Sequence, residues 1–326
     1  MQILTKRAAI KGYKVGSCGP YDVVFEWEDV ISDALGWSLR NHFTGARLIG
    51  ALCYRMPFIA PIFRPWRLSF SYNLYSKDAF KANYRAIIPC VIDFWLTQEK
   101  EFDAFYRSYD KCPLVLISSR EVYEVLIKRN CPLKIAHLGL SISDKYKLSD
   151  VDFKAKDIDA AVVGRTSKVL LDYCKRYAAS HPSFTYVYRD GGFKGIYRDN
   201  KGRCVVRAGD RTSYMNLLKR VKVGLYSTPG IDGDRAVAYN QVTPRFLEYL
   251  VSGCHVLSRY PKNPDTDFYE LPSITPHISS YEQFELEMDR ALSRPVDVGF
   301  YNQYLVRHYT SSRARELLRI LMEVGL

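Results

Sequence analysis

The sequence predicts an α/β protein of two domains, each built on a parallel β-sheet with helices on both faces. Three observations lead to this fold class. Short apolar runs alternate with segments of helical periodicity, which is typical of parallel strands joined by right-handed crossovers. The length of 326 residues exceeds what one domain usually holds. A polar stretch, 143–157, separates two such alternations near the middle of the chain.

The first half of the chain shows this alternation loosely. Four apolar runs are predicted to be strands: 21–27, 87–94, 114–118 and 133–138. Two segments with helical spacing are predicted to be helices: 29–42 and 119–129. The second of these begins with a serine in the cap position.

The second half alternates more regularly. Its predicted strands are 158–163, 184–189, 204–207, 221–226 and 254–258. Its predicted helices are 167–180, 212–220 and 243–252. The last helix has a capping residue in Thr243, a proline at the first helical position in Pro244 and a terminating glycine in Gly253. We therefore expect an N-terminal domain over 1–145, a linker over 146–157 and a C-terminal domain over 158–326.

Composition restricts the function classes. The net charge of +12 favours an anionic partner, either nucleic acid, a phosphorylated small molecule or an acidic membrane surface. The eight cysteines form no CxxC motif, which argues against a zinc ribbon, and they are scattered as in proteins of a reducing compartment. The N-terminus lacks the apolar region of a signal peptide, and no segment resembles a membrane-spanning helix. We expect a cytoplasmic protein.

The positive charge is concentrated in the segment 40–85. It holds eight lysines or arginines and one acidic residue, with ten aromatic residues interleaved. One interpretation is an acceptor-binding or membrane-surface patch formed by Arg47, Arg55, Arg64 and Arg67, because arginine and aromatic residues suit the bilayer interface. The other is a set of helices whose aromatic residues form core. The first interpretation predicts peripheral contact with an anionic membrane, at its inner face.

Chemistry is expected at the carboxyl ends of the strands in the second half, where parallel sheets bind ligands. The strand 158–163 runs into Gly164, Arg165 and Lys168 at the start of a helix. A glycine permits close backbone approach, and a helix N-terminus with two cations suits a phosphate. The alternative is an ordinary tight turn with two solvated cations.

The helix 243–252 contains one acidic residue, Glu248, among apolar neighbours. A carboxylate in such a place needs partners, and two ligand hydroxyls would supply them. The alternative is a solvated position on the outer face of the helix. A long loop, 227–242, leads into this helix, and loops of that length inside compact domains are usually functional.

At these residues the sequence resembles the nucleotide-sugar glycosyltransferases of the GT-B fold, especially the group that includes bacterial polysaccharide glycosyltransferases. The resemblance lies in the turn at Gly164 and Arg165 and in the helix–glycine–strand unit of residues 246–257. It implies two Rossmann-like domains with parallel sheets facing across a cleft. It also implies that Glu248 binds the donor ribose, while Arg165 and Lys168 contact the diphosphate.

The sequence departs from this family at one position. Many retaining members have a second glutamate eight positions before the ribose-binding one, and here that position is Asn240. Asn240, Thr243 and Arg245 are still expected to face the diphosphate or the sugar. If the enzyme inverts, its base would come from the N-terminal domain. The candidates at strand ends are Glu28, Asp29, Asp93 and His137.

The expected function is transfer of a hexosyl group from a nucleoside-diphosphate sugar to a saccharide or lipid-linked acceptor, in surface polysaccharide or glycolipid synthesis. Two alternatives stay open: a sugar-nucleotide epimerase of the same fold, and a non-enzymatic basic nucleic-acid-binding protein. The second lacks any recognised nucleic-acid motif, so no nucleic-acid partner is expected. We expect no cofactor and no metal. Four Asp-x-Asp triplets occur, but none directly follows an apolar strand, where a metal-binding pair should lie.

Overall fold

The computed structural model describes residues 2–5, 69–75, 87–94, 96–110, 112–149, 151–164, 167–190, 196–207, 211–232 and 238–325. The chain forms two compact units. The first comprises Met1–Ser143 and Tyr309–Leu326, and the second comprises Asp144–His308. The predicted strand 21–27 and helix 29–42 lie outside the described residues.

The first unit contains a five-stranded parallel sheet. Its strands in spatial order are β1 (Gln2–Thr5), β2 (Ser69–Tyr75), β3 (Ile87–Phe94), β4 (Val115–Ile117) and β5 (Ile135–His137). Two helices of this unit are α1 (Glu99–Tyr109) and α2 (Arg120–Lys128). The strands 87–94, 114–118 and 133–138 and the helix 119–129 are confirmed, with ends differing by up to two residues.

The second unit contains a six-stranded sheet in the order β11-β10-β6-β7-β8-β9. The strands are β6 (Ile158–Val162), β7 (Tyr186–Arg189), β8 (Ile196–Asp199), β9 (Cys204–Arg207), β10 (Val221–Ser227) and β11 (His255–Arg259). The helices are α3 (Lys168–Ser180), α4 (Arg211–Lys219), α5 (Pro244–Val251), α6 (Pro264–Phe268), α7 (Leu271–Ile274), α8 (Tyr281–Ser293) and α9 (Val298–Leu305). All strands and helices predicted for this half are present.

One edge of this sheet differs from the prediction of parallel strands throughout. β8 is an additional strand between the predicted strands 184–189 and 204–207, and it pairs antiparallel with both β7 and β9. The connections 190–195 and 200–203 are too short to contain a crossover helix. Neighbouring strands joined in this way can only be antiparallel. The parallel part of the sheet, from β11 to β7, is the part that adjoins the candidate site.

Close packing of α5 on the sheet depends on Gly224 in the middle of β10. A Cβ atom at Gly224 would collide with the ring of Tyr249. The Tyr249 hydroxyl donates to the backbone carbonyl of Ala161 (3.0 Å) and accepts from the backbone N–H of Val163 (3.3 Å). One buried side chain thus fixes α5 against β6 and β10. Gly253 ends α5 with φ of 63°, as its position after the helix predicted.

The C-terminal helix α10 (Thr310–Glu323) belongs to the first unit, whereas the sequence placed it in the C-terminal domain. Its apolar face joins the core of the first sheet. The cluster includes Ile88, Leu116, Leu138, Leu317 and Leu321, all of them buried. The expected boundary near 145 lies close to the division at 143/144, but the expected end of the second domain at 326 is corrected to 308.

Two short 3-10 helices, Asp144–Tyr146 and Phe153–Ala155, occupy the polar segment that was expected to be a linker. This segment is attached to the second unit by the buried Lys156. Its ammonium donates to the backbone carbonyls of Val221 (2.7 Å) and Ser252 (2.8 Å). Among the helices that the structure describes, none has the length and apolar character needed to span a bilayer.

Candidate functional site

The candidate site lies at the carboxyl edge of the second sheet, where Gly164 follows the end of β6 by two residues. Gly164 has φ of 73°, a conformation that residues with a Cβ atom rarely adopt. A Cβ atom there would lie 2.5 Å from Nε and 2.6 Å from Cζ of Arg245. The guanidinium group of Arg245 therefore lies directly on the Gly164 turn. The sequence proposed both residues for the donor site, and the structure brings them together.

Arg245 takes this position because α5 begins just before it. Thr243 is the N-cap residue and Pro244 is the first helical residue, as predicted, although the Thr243 hydroxyl makes no capping bond. The Thr243 backbone N–H instead donates to the hydroxyl of Tyr226 at the end of β10 (2.9 Å). Burial raises the pKa of Tyr226, and the nearby Arg245 charge opposes that rise. Arg245 thus lies at the junction of β6, β10 and α5.

Glu248 is buried, with 6% of its surface exposed, so the alternative of a solvated outer-face position is wrong. Its carboxylate has two partners from α4. Arg211 Nη1 donates to Oε1 (2.5 Å), and the Tyr214 hydroxyl donates to Oε2 (2.8 Å). Burial acts to lower the pKa of Arg211, but the Glu248 carboxylate outweighs it and the pKa is raised. Burial and the same carboxylate raise the pKa of Tyr214.

Sequence reasoning missed Arg211 and Tyr214. The guanidinium of Arg211 lies 5.5 Å from the ring centroid of Tyr214 and 5.5 Å from that of Tyr146. Tyr146 belongs to the segment that was expected to be a linker. The signal available in the sequence was the acidic residue at position 248 among apolar neighbours, because a buried carboxylate needs a partner. Nothing in the sequence identified Arg211 as that partner.

The loop after β10 is attached to its neighbours through Asp232. Its carboxylate accepts from Arg259 Nε (2.8 Å) and from the hydroxyl of Ser167. Ser167 also caps α3 by accepting from the Leu170 backbone N–H (3.2 Å). Asp232 is the first residue of the Asp-x-Asp triplet nearest to a strand end, and its carboxylate is engaged by protein groups. No cluster of three or more potential metal ligands is found in the described part of the chain.

The other donor-site candidates lie at the start of α3, in the loop before α5 and outside the described residues. Lys168 is the first residue of α3 and is exposed. The backbone carbonyl of Asn240 accepts from the side-chain amide of Asn263 (3.2 Å). Arg165 lies outside the described residues. The structure therefore brings Gly164 and Arg245 together at the edge of the sheet, with Thr243 at the start of α5 and Glu248 one helical turn after Arg245.

Among the proposed catalytic bases, His137 is placed in detail and does not suit that role. It ends β5, is buried, and donates to the backbone of Ser118. Burial and the charges of Arg120 and Arg313 lower its pKa to about 3. An imidazole with that pKa is a weak proton acceptor near neutrality. His137 was one of several candidate bases, and this lowered pKa argues against it.

The side chains of the other candidate bases lie outside the described part of the structure. Asp93 lies in β3, in register with Leu74 of β2, and its side chain is outside the description. Glu28 and Asp29 are outside the described residues, as are the four arginines of the basic segment: Arg47, Arg55, Arg64 and Arg67. Within 40–85 the described residues form the strand β2. One of the two interpretations of this segment had predicted helices.

Comparison with family models and with curated proteins finds no match. Solved structures with a similar fold exist. A glycosyltransferase from Rickettsia africae shares 10% identity over 99% of this chain and 97% of its own, with a TM-score of 0.55. The pneumococcal O-GlcNAc transferase GtfA in complex with UDP and GlcNAc shares 13% identity, with a TM-score of 0.50. The GtfA/B complex shares 10% identity, also with a TM-score of 0.50.

Alignments with the last two structures cover 82% of this chain but only 60% and 59% of theirs, so this chain spans about three fifths of their length. Identities this low establish the fold and not the activity. Two α/β units and these neighbours show that the chain has the GT-B fold.

Proposed function

We propose that this GT-B chain is a glycosyltransferase that moves a hexosyl group from a nucleoside-diphosphate sugar to an acceptor hydroxyl. The observation that carries the proposal is the Arg245 guanidinium lying on the Gly164 turn, one helical turn from the buried Glu248. Residues three apart on a helix lie on the same face. The Arg245 cation and the Glu248 carboxylate therefore lie next to each other on α5. This arrangement suits a diphosphate, which would bind the cation, and the adjoining ribose, which would bind the carboxylate.

The donor diphosphate would bind at Gly164 and Arg245. Gly164 leaves room for the Arg245 guanidinium, which would contact the phosphate, and the N-terminus of α3 offers N–H groups. Arg165 and Lys168 would add charge, and Asn240 and Thr243 would border the same groove. The pneumococcal neighbour is an O-GlcNAc transferase whose structure contains UDP and GlcNAc, and this supports the proposed donor class.

The donor ribose would bind at Glu248. Arg211 and Tyr214 occupy one position on each carboxylate oxygen. A carboxylate has about four acceptor positions, so two hydroxyls can be accepted without displacing either partner. Arg211 and Tyr214 would then orient the carboxylate toward the ribose.

Catalysis would depend on stabilising the leaving diphosphate with Arg245, Arg165, Lys168 and backbone dipoles. The proposed transfer is independent of metal, because cations of the protein supply the charge and Asp232 is already bound by Arg259 and Ser167. Activity that disappears in a chelator and returns with manganese would contradict this part. Asp93 and Asp29 are the bases that we propose for an inverting reaction.

The acceptor is proposed to be a saccharide or a lipid-linked precursor in surface polysaccharide or glycolipid synthesis. The basic segment with Arg47, Arg55, Arg64 and Arg67 is the proposed contact with an anionic membrane. Binding to anionic but not neutral vesicles, released by salt, is the outcome that this contact requires.

Calorimetry with nucleoside diphosphates tests the proposal directly. The wild-type chain should bind at least one of the uridine, guanosine, adenosine and cytidine diphosphates. Glu248→Gln should weaken that binding by about tenfold or more, because charge-assisted hydrogen bonds to the ribose are lost. The wild type should also prefer the ribose form over the 2′,3′-dideoxy form, and Glu248→Gln should lose this preference.

The matched control is Glu282→Gln on the exposed face of α8, which should leave the affinity unchanged. Binding of the dideoxy form as tightly as the ribose form by the wild type would remove Glu248 from the ribose site. A wild type that binds none of these nucleotides would overturn the proposed function.

A further inference from the structure

The hydroxyl of Thr228, the residue that directly follows β10, is a buried polar group without a hydrogen-bond partner in the described part of the chain. Only 1% of the Thr228 surface is exposed. The other fully buried threonines that the structure describes each donate to a backbone carbonyl: Thr266, Thr275 and Thr310. A buried hydroxyl without a partner is less favourable than a methyl group of the same shape. Threonine at 228 therefore indicates a partner from outside the chain.

Thr228 lies level with the Gly164 turn at the carboxyl edge of the second sheet. Gly224 of β10 pairs with Ala161 of β6. Because the two strands are parallel, Ser227 is level with Gly164, and Thr228 is one residue further along. Ligands bind at this edge of a parallel sheet. The unpartnered hydroxyl thus belongs to the edge that the donor is proposed to occupy.

The pairing of β10 with β11 places Thr228 on the face of the sheet that α5 covers. Thr228 donates its backbone N–H to the Arg259 carbonyl at the end of β11 (3.1 Å), so the pairing continues one residue beyond β10. Alternation along a strand then puts Thr228 on the same face as Tyr226. The ring of Tyr226 packs on that of Phe246 in α5, with 5.5 Å between the centroids. Thr228 therefore lies on the same side of the sheet as the N-terminus of α5.

The position of Thr228 relative to α5 indicates which part of the donor it would meet. Phe246, which contacts Tyr226, is two residues before Glu248, so their side chains are about 200° apart around the helix axis. Arg245 lies between these two directions. A donor with its ribose at Glu248 and its diphosphate at Arg245 therefore directs its sugar toward the opposite side. That side, next to Phe246, is where Thr228 lies.

We propose that the Thr228 hydroxyl binds the sugar of the donor through a hydrogen bond to a sugar hydroxyl. A threonine hydroxyl donates one hydrogen bond and accepts others, as a sugar hydroxyl does, so the two can pair in either direction. This inference rests on the proposed function, and it makes Thr228 a residue that selects the sugar and not the nucleoside. A site built to hydrogen-bond a substrate hydroxyl rejects an analogue without it, because the protein group is then left unpaired.

Calorimetry with nucleotide-sugars and their diphosphates tests this assignment. The probes are UDP-glucose, UDP-N-acetylglucosamine, GDP-mannose and ADP-glucose, each compared with its own nucleoside diphosphate. Thr228→Val keeps the shape of the side chain and removes the hydroxyl. It should weaken binding of the tightest nucleotide-sugar by about tenfold, because one hydrogen bond to the sugar is lost. Affinity for the corresponding diphosphate should stay within about twofold.

Urea unfolding supplies a second readout that a merely structural role would not give. Thr228→Val should leave the unfolding midpoint unchanged or raise it, because the hydroxyl has no partner in the described part of the chain. Thr275→Val is the matched control, since the Thr275 hydroxyl donates to the Val256 carbonyl (2.7 Å) and to the Ser258 hydroxyl (2.9 Å). This control should lower the midpoint and leave both affinities unchanged. Thr228→Ser, which keeps the hydroxyl, should bind the nucleotide-sugar within about threefold of the wild type.

Equal nucleotide-sugar affinity in Thr228→Val and the wild type would overturn the inference. An equal loss for the diphosphate would also overturn it, because the hydroxyl would then contact the diphosphate and not the sugar. A midpoint as low as that of Thr275→Val would show that the Thr228 hydroxyl bonds within the protein. These three results leave the proposed function standing, whereas a wild type that binds none of the nucleotides would overturn both.

Discussion

At the scale of single residues, the donor-site proposal depends on the contact between Gly164 and Arg245 and on the buried carboxylate of Glu248. Gly164 has no side chain, and the Arg245 guanidinium occupies the space that a side chain would take. Glu248 is buried and is held by Arg211 and Tyr214. A buried carboxylate is stable only with such partners. The positions of Arg245 and Glu248 thus depend on the glycine at 164 and on the ion pair between Arg211 and Glu248.

Gly164→Ala should therefore disrupt nucleotide binding. The new methyl group displaces Arg245 and adds strain of about 1 kcal/mol from the left-handed backbone. Gly202→Ala is the matched control, because Gly202 has a similar φ of 77° and no atom within 4 Å of the new methyl group. In urea unfolding, the left-handed backbone should lower the free energy of unfolding of both variants by a similar amount. In calorimetry, only Gly164→Ala should lose affinity for nucleoside diphosphates. Equal affinities would show that Arg245 does not contact the ligand.

The lowered pKa of His137 predicts acid sensitivity. An unfolded histidine has a pKa of about 6.5, so at pH 5 the unfolded chain holds a proton that the folded protein does not accept. The unfolded state therefore binds more protons, and the free energy of unfolding falls as the pH falls from about 7 toward 3.

Between pH 7 and pH 5, His137→Gln should lose about 2 kcal/mol less stability than the wild type. Urea unfolding of both proteins at the two pH values measures this difference. Between pH 7 and pH 8 the two proteins should change in parallel, which serves as the control. An identical loss at pH 5 would mean that His137 is protonated in the folded chain.

At the scale of elements, the loop after β10 is fixed to two neighbours by one carboxylate. Asp232 joins Ser167, the cap of α3, to Arg259, the last residue of β11. Arg259 also donates to the Ile278 carbonyl (2.8 Å). The ends of β6, β10 and β11 are therefore linked through a single residue in a loop.

Asp232→Ala should destabilise the chain by about 2–4 kcal/mol, because it leaves Arg259 with 17% exposure and no carboxylate partner. Asp172→Ala is the matched control, since Asp172 pairs with Lys175 in solvent and should cost about 0.5 kcal/mol or less. The free energies of unfolding in urea compare the two. Similar values would mean that Asp232 is not a structural anchor.

At the scale of the whole molecule, the two units are not two consecutive halves of the sequence. The chain leaves the second unit at His308 and ends in the first, where α10 completes the core of the five-stranded sheet. Burial of apolar area explains this ending, since Leu317, Ile320 and Leu321 cover Leu116 and Leu138.

Leu317→Ala should lower the free energy of unfolding by about 2–4 kcal/mol, since Leu317 is fully buried. Hydrogen exchange should become faster in β3, β4 and β5, while β6 and β10 should stay protected. Met322→Ala, in the same helix but 72% exposed, should change stability by about 0.5 kcal/mol or less. Faster exchange confined to the second unit would contradict the placement of α10.

Part of the candidate site could be predicted because its residues are close in sequence. The Gly164 turn follows one strand, and Thr243, Arg245 and Glu248 follow one loop. Arg211 could not be predicted as the partner of Glu248, since the two are 37 positions apart and are joined only by the packing of α4 on α5. His137 was recognised as a candidate, but its pKa depends on arginines brought from α2 and α10.

By itself, the sequence determined the α/β class, the parallel strands β3 to β7, β10 and β11, and the start and end of α5, because apolar periodicity and capping residues act locally. It did not predict β1 and β2 of the first sheet. Only the tertiary structure decided that β8 reverses direction, that α10 returns to the first unit, and that Arg245 lies on Gly164. These features depend on which apolar faces and charges meet after folding, and burial of those faces is a property of the whole molecule and not of any segment.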